Sequence, residues 1–137
     1  MSILIIGCGI AGPPLATFLL LDPTLPIASL PSITILERSP MLRAQGQGVD
    51  IRGAGVNVMR ALGLETAIRS ATTGEEGVHI VDKYDNVVAE GAADKTGKVQ
   101  TGTSDIEIMR GRLAEILYKR CKAVSERVQG ALSLIHI

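Results

Sequence analysis

Two apolar runs and a helical pattern between them open the chain. Residues 2–6 form a continuous run rich in isoleucine, which is typical of a strand buried on both faces of a parallel sheet. A helix is predicted from about residue 10 to residue 21. Pro13 and Pro14 fit its first turn, where backbone N–H groups have no partner within the helix. The pattern therefore predicts a strand followed directly by a helix.

A second buried strand follows a proline-rich connection. Residues 22–32 contain three prolines and predict a loop, and residues 32–36 predict a strand that ends at Glu37 and Arg38. A strand, a crossover helix and a strand in this order pair in parallel with a right-handed connection. The amino-terminal part of the chain therefore predicts a βαβ unit.

The middle of the chain departs from a simple nucleotide-binding unit, in which a third parallel strand would follow promptly. Residues 41–50 predict a glycine-containing loop, and residues 53–62 have helical apolar spacing that Gly63 would end. Residues 64–70 fit a further turn or two of helix. These residues predict helical material inserted into the unit.

A hairpin and a long helix are predicted after this insertion. Two apolar runs, residues 78–82 and 87–90, flank a polar turn and predict an antiparallel hairpin. A polar connection over residues 92–105 leads to a short strand at residues 106–109, and residues 112–128 predict the clearest amphipathic helix. The apolar face of this helix comprises Leu113, Ile116, Leu117, Cys121, Val124 and Val128.

The predicted fold class is α/β, a Rossmann-like βαβ unit with a parallel sheet and an inserted helix plus β-hairpin. We assign one domain to residues 1–129. The tail, residues 130–137, has two interpretations: a strand that returns to the parallel sheet, or foreign or read-through sequence at a truncated end. The sequence alone does not separate them.

Composition excludes several function classes. Lys and Arg together number 14, as do Asp and Glu, so no net field attracts nucleic acid or an anionic membrane. The uncharged stretch over residues 1–21 is interrupted by glycine and proline, and we expect no membrane span. The only two cysteines, Cys8 and Cys121, predict neither a disulfide framework nor a metal site, and a cytoplasmic protein is the default. His79 and His136 are isolated and fit ordinary strand positions.

The residues after the first strand carry the main chemical signal. Gly7, Gly9 and Gly12 form a GxGxxG pattern between a predicted strand and a predicted helix. The first glycine permits a tight turn, the second admits the pyrophosphate of a dinucleotide, and the third allows close packing of helix on strand. The helix start would present N–H groups and a partial positive charge to the phosphates.

An acid, Glu37, stands at the end of the second predicted strand, a position that is typical of the ribose-binding residue in dinucleotide sites. The Glu37 carboxylate can accept hydrogen bonds from both hydroxyls of the adenosine ribose. It follows Gly12 at a longer interval than usual, and the proline-rich loop accounts for the excess. The alternative is a solvated strand end. The glycine pattern and Glu37 together predict a dinucleotide site without separating NAD from FAD.

Four blocks occur in order along the chain: Gly7–Ala16 with its three glycines, Ile35–Arg38, Gly46–Arg52 and Ile108–Leu113. Together they resemble the N-terminal part of class A flavoprotein monooxygenases, the single-component FAD hydroxylases with the para-hydroxybenzoate hydroxylase fold. The segment from residue 48 to residue 64 is similar to the subgroup that includes tetracycline-inactivating monooxygenases. The resemblance extends to about Val128.

The resemblance implies a role for each matching residue. Gly7, Gly9 and Gly12 would hold the FAD pyrophosphate, with Glu37 at the ribose and Arg38 beside the adenosine. Asp50 and Ile51 would contact the flavin half, and Arg110 would reach FAD from the start of the long helix. Arg52, Arg60 and Arg112 are interpreted as surface charges. Asp50 has a second interpretation, as the N-cap of the following helix.

The family's later motifs do not occur in this chain. An Asp-Gly motif for FAD and NAD(P)H, a Gly-Asp motif for the ribityl chain and the substrate-binding sheet have no counterpart here. The resemblance thus implies the FAD-binding part of an enzyme that would use NAD(P)H and O₂ to hydroxylate a small organic substrate. Two alternatives stay open: a truncated, non-catalytic nucleotide-binding fragment, and an NAD(P)-binding module.

Overall fold

A computed structural model describes residues 1–74, 76–92, 106–128 and 132–136 of the chain. Its helices and strands in chain order are β1 (Ser2–Ile6), α1 (Gly12–Leu20), β2 (Ser32–Glu37), β3 (Gly48–Asp50), α2 (Ala54–Ala61), α3 (Glu65–Arg69), β4 (Gly77–Val81), β5 (Val87–Ala92), β6 (Glu107–Met109), α4 (Arg110–Arg127) and β7 (Leu132–His136). A turn of 3₁₀ helix, Ile27–Ser29, interrupts the loop between α1 and β2. Most of the predicted connection at residues 92–105 lies outside the described residues.

The predicted βαβ unit is confirmed. β1 and β2 pair in parallel, with Ser2 opposite Ser32 and Ile6 opposite Leu36. β7 pairs in parallel with the other edge of β2, which gives the strand order β1-β2-β7. The carboxyl ends of the strands therefore lie at one edge, where the glycine loop begins.

Helix α1 begins two residues later than the sequence pattern suggests, because the chain first completes the glycine loop. Gly7 has a φ of +98°, a conformation that disfavours any residue with a Cβ. Helix α1 then starts at Gly12, and its N-cap residue, Ala11, makes no side-chain capping bond. Since Pro13 and Pro14 lack N–H groups, this helix start has fewer donors to cap than an ordinary one.

The prediction of an uninterrupted loop over residues 41–50 is wrong at its carboxyl end. Residues Gly48–Asp50 form β3, which pairs antiparallel with β6, so that Val49 lies opposite Ile108. Gly48 lies so close to the Glu107 carboxylate that a Cβ at this position would overlap it. A three-residue strand of this kind is set by its distant partner and leaves no periodic signal in its own sequence.

Helix α4 joins two hydrophobic clusters, and it begins at Arg110, two residues before the predicted start. Leu113, Ile116 and Leu117 pack in a cluster with buried residues of α2, α3 and β6. One and two turns further along, Cys121 and Val124 pack with buried residues of β1, α1 and β2. Helix α4 thereby attaches the inserted helices to the βαβ unit, and Ile10 of the glycine loop adds a contact with the first cluster.

The β4–β5 hairpin is amphipathic and stands away from both clusters. The predicted turn is confirmed, and Asp85 within it has a φ of +65°. On one face Val78 lies opposite Gly91 and Ile80 lies opposite Ala89. On the other face Nε2 of His79 lies 3.7 Å from Oε2 of Glu90. Every residue of both strands is exposed, so the apolar face of the hairpin is uncovered.

The three-stranded sheet is covered on one face. Ile5, Ile33 and Ile35 are buried in the cluster that includes α1 and α4. On the opposite face Leu4 and Ile6 are 61% and 73% exposed, although strands of parallel sheets are usually buried on both sides. Among the described residues, no helix is both long and apolar enough to cross a membrane.

We expect the variant Gly12→Ala to lower the free energy of unfolding by about 1–3 kcal/mol, because the new Cβ would overlap the Gly7 carbonyl oxygen, a backbone atom. Urea denaturation checks this value. The matched control is Gly91→Ala, where a Cβ meets no atom within 4 Å. Equal stability of the two variants would contradict the close contact between the glycine loop and α1.

Candidate functional site

A cleft of about 280 Å³ opens at the carboxyl ends of β1 and β2. The glycine loop forms one side, the loop after β2 a second, and the first turn of α4 a third. The residues that line it are Gly7, Cys8, Gly9, Glu37, Arg38, Met41, Leu42, Arg43, Arg110 and Ala114. Five of the residues singled out in the sequence, Gly7, Gly9, Glu37, Arg38 and Arg110, therefore meet in one place.

The three glycines have different geometric functions. The Gly7 N–H donates to the Leu36 carbonyl oxygen at 2.7 Å, which ties the loop to the end of β2. A Cβ on Gly9 would lie 3.7 Å from Nη2 of Arg110. Because Gly9 has no side chain, no side-chain atom stands between the loop backbone and that guanidinium. Gly12 is buried beneath Gly7 and does not line the cleft. Its contribution is the close approach of α1 to the loop.

The start of α1 offers an anion fewer backbone donors than the glycine pattern alone suggests. Leu15 N–H already donates to the Ala11 carbonyl oxygen at 3.1 Å, and Pro13 and Pro14 have no N–H. Cys8 N–H is also engaged, with Glu37. The backbone amides of residues 9–12 remain as donors to an anion. Any further compensation of the negative charge of that anion must come from side chains.

Glu37 bridges the glycine loop and the loop after β2. One carboxylate oxygen accepts the Ser39 N–H at 2.8 Å and the other accepts the Cys8 N–H at 2.7 Å. These hydrogen bonds, from Ser39 first and then Cys8, hold the pKa of Glu37 below its ordinary value. A carboxylate has about four acceptor positions, so these hydrogen bonds leave acceptor capacity for the hydroxyls of a ribose.

Three arginines give the cleft its positive charge. Arg38 and Arg110 were singled out in the sequence, whereas Arg43 was missed. The positive charge of Arg43, which lines the same cleft, helps to hold the pKa of Glu37 below its ordinary value. Because Arg43 stands in an irregular loop, only its basic character could have suggested it. Guanidinium groups are well suited to phosphate oxygens because they offer paired N–H donors.

Asp50 and Ile51 do not line this cleft. They border a second, mostly apolar cavity of about 310 Å³ together with Ile10, Pro14, Val49, Arg52, Gly55, Val58, Met59, Ile68, Leu113 and Leu117. The interpretation of Asp50 as an N-cap is wrong, because the N-cap of α2 is Gly53. Asp50 instead accepts a hydrogen bond from Arg52 at 2.7 Å.

The arginines interpreted as surface charges form ion pairs near the surface. Arg52 pairs with Asp50, as described above, and its side chain is 31% exposed. Arg60 pairs with Glu65 at 2.8 Å, and Arg112 pairs with Glu115 at 2.6 Å. None of the three lines the cleft at the glycine loop.

The two cysteines are buried thiols. Cys8 and Cys121 pack in the same hydrophobic cluster, and both are free. Burial, reinforced by the negative charge of Glu37, raises the pKa of the Cys8 thiol to about 11. A thiol of this kind is a poor nucleophile near neutral pH because little of it is ionised. Cys8 therefore packs in the hydrophobic cluster beneath the loop, and we assign it no chemical function.

The groups that line the cleft are suited to binding a ligand through hydrogen bonds and charge. It combines backbone amides, guanidinium groups and a carboxylate whose pKa is lowered, so that the carboxylate is ionised and cannot serve as a general acid near neutral pH. Within the described ranges, no group of three or more His, Cys, Asp or Glu side chains could hold a metal ion. A ligand with a diol and adjacent phosphates fits this arrangement.

The relatives found by comparison with known proteins belong to one family. The chain is 38% identical over 125 residues to the flavin-dependent monooxygenase eupH of Phoma sp, a match that covers 90% of this chain and 27% of that protein. It is 37% identical over 124 residues, 89% of the chain, to the FAD-dependent monooxygenase asL4 of Sarocladium schorii, again 27% of that protein. The chain is a homologue of flavin-dependent monooxygenases over part of their length. No protein-family model matches it.

Solved structures agree with this family. The tetracycline destructase Tet(51) superimposes with a TM-score of 0.64 at 30% identity, and Tet(55) with a TM-score of 0.69 at 26% identity. Each superposition covers 98% of this chain and 29% of the solved chain. The resemblance to class A monooxygenases, including the tetracycline-inactivating subgroup, is thereby confirmed for a chain that spans less than a third of these relatives.

The lowered pKa of Glu37 predicts a pH-dependent contribution to stability. A carboxyl group whose folded-state pKa is lowered stabilises the fold above its unfolded pKa, near 4.5, and this contribution is lost as the pH falls through the folded value. We expect Glu37→Gln to be less stable than the natural chain at about pH 7, with the difference shrinking below about pH 4. Urea denaturation over this range measures the difference. The control is Glu126→Gln, exposed on α4. A pH-independent difference for Glu37→Gln would contradict the two backbone hydrogen bonds.

Proposed function

We propose that this chain is the FAD-binding part of a flavin-dependent monooxygenase. The observation that carries the proposal is the meeting of the glycine loop, the Glu37 carboxylate and three arginines around one cleft. The names of the relatives, flavin-dependent and FAD-dependent monooxygenases, support FAD as the dinucleotide. Residues 1–129, together with β7 of the same parallel sheet, would form this FAD-binding domain.

The adenosine half would lie toward the end of β2. The ribose hydroxyls would donate to the acceptor positions of Glu37 that the Cys8 and Ser39 amides leave available. Arg38, which lines the same cleft, would lie beside the adenosine. The negative charge of Glu37 disfavours a phosphate at the same position, which supports a dinucleotide with a free 2′-hydroxyl.

The pyrophosphate would lie between the glycine loop and the first turn of α4. The amides of residues 9–12 would donate to its oxygens from one side and the Arg110 guanidinium from the other, with Arg43 adding positive charge at the cleft. Because two prolines remove donors from α1, the arginines carry more of the interaction than in a site built on helix amides alone.

The flavin half would extend toward Asp50 and Ile51, which border the second cavity. In the complete enzyme the flavin would take electrons from NAD(P)H and activate O₂ for hydroxylation of a small organic substrate, as is general for such cofactors. The residues of this chain would bind and orient FAD, and none of the described residues is assigned a proton transfer.

Binding of FAD by the purified chain tests the proposal. We expect FAD to raise the midpoint of thermal unfolding and to bind with a change in its visible absorption, and neither NAD(H) nor NADP(H) to raise this midpoint. A colourless protein that FAD does not stabilise would contradict an FAD site in this chain. Stabilisation by NAD(H) or NADP(H) without stabilisation by FAD would favour an NAD(P)-binding module instead.

The variant Arg110→Ala should weaken FAD binding by about tenfold to a hundredfold, because a charge-assisted hydrogen bond to phosphate contributes about 1.5–3 kcal/mol. Titration of FAD fluorescence measures the dissociation constant. The matched control is Arg112→Ala, two residues along the same helix, where the side chain pairs with Glu115 outside the cleft. Equal effects of the two variants would show that only net charge matters.

A further inference from the structure

Arg110 is held at the cleft by close backbone contacts with the loop over residues 44–47. Its N–H donates to the Gln47 carbonyl oxygen at 3.0 Å. A Cβ on Gly46 would lie 2.9 Å from the Cβ of Arg110, so the loop passes directly against the base of this side chain. From there the guanidinium reaches Gly9, where Nη2 lies 3.7 Å from the position of a Cβ.

The residue after Arg110 makes the closest of these contacts. A Cβ on Gly111 would overlap the carbonyl carbon and oxygen of Ala44 and lie 2.9 Å from its Cα. All three are backbone atoms, so no side-chain rotation could make room. Gly111 is buried in the first turn of α4 and its φ is not positive, so space rather than backbone conformation requires glycine here.

We propose that Gly111 is a positioning residue for Arg110. Gly111 allows the first turn of α4 to lie against the backbone of Ala44. This contact fixes the position of the helix start, from which the Arg110 guanidinium reaches Gly9. A side chain at position 111 would move the helix start away from residues 44–47. The charge of Arg110 would be retained, but its donors would be displaced from the glycine loop.

Helix propensity alone predicts the opposite result for an alanine at position 111, so the two effects can be distinguished. Alanine is a better helix former than glycine, so Gly111→Ala would stabilise α4 if the contact with Ala44 were unimportant. The variant should instead bind FAD more weakly. This expectation rests on the proposed FAD site, because the first experiment measures the affinity of the variant for FAD.

A double-mutant cycle between positions 110 and 111 tests the proposal. We expect Gly111→Ala to weaken FAD binding about tenfold in the natural chain and to have little effect in an Arg110→Ala background, since the group that it positions is then absent. Gly91→Ala, where a Cβ meets open space, is the control. An unchanged affinity of Gly111→Ala, or an equal loss in both backgrounds, would overturn the proposal.

A second measurement needs no ligand and separates this proposal from the FAD assignment. The amide resonance of Gly9 in ¹⁵N-labelled protein should shift in Arg110→Ala, because a guanidinium is removed from beside it, and should shift in the same direction in Gly111→Ala. A shift in Arg110→Ala without one in Gly111→Ala would overturn the positioning function. If the natural chain binds no FAD while both variants shift Gly9, the proposed function fails and the positioning function stands.

Discussion

The structure depends on the packing of one helix, α4, across two hydrophobic clusters. Leu113 and Leu117 attach it to the inserted helices and β6, and Cys121 and Val124 attach it to the βαβ unit. Because these contacts fix the position of the helix along its own axis, they also fix its first turn, which borders the cleft. The geometry of the residues that line the cleft is therefore a consequence of core packing that begins at Leu113, within the same turn of helix, and continues to Val124.

The same helix separates the two cavities. Arg110 and Ala114 face the polar cleft, while Leu113 and Leu117 face the apolar cavity. A single turn of α4 thus presents a charged surface to one side and a hydrophobic surface to the other. A ligand with a polar dinucleotide backbone and a flat aromatic ring could use both surfaces, as the proposed FAD site requires.

The βαβ unit and the glycine loop could be predicted from the sequence because their signals are local. The isoleucine-rich run before the glycine pattern, the pattern itself and the acid at Glu37 all stand close together in the predicted βαβ unit, and together they predict a dinucleotide site. The parts that could not be predicted depend on contacts between distant residues. β3 exists because β6 pairs with it. Arg43 reaches the cleft through an irregular loop, and Asp50 borders a cavity lined largely by residues of four helices. The assignment of individual residues to FAD remains a prediction.

Pro13 and Pro14 have a consequence for the unfolded chain as well as for the folded one. Each ring fixes φ near the helical value before folding begins, so these two residues lose less backbone freedom on folding than residues with a free φ. The start of α1 is thus ordered at a lower entropic cost, without a side-chain capping bond from Ala11. This restriction of φ at the helical end of the glycine loop is covalent in origin, so it is the same with and without a bound nucleotide.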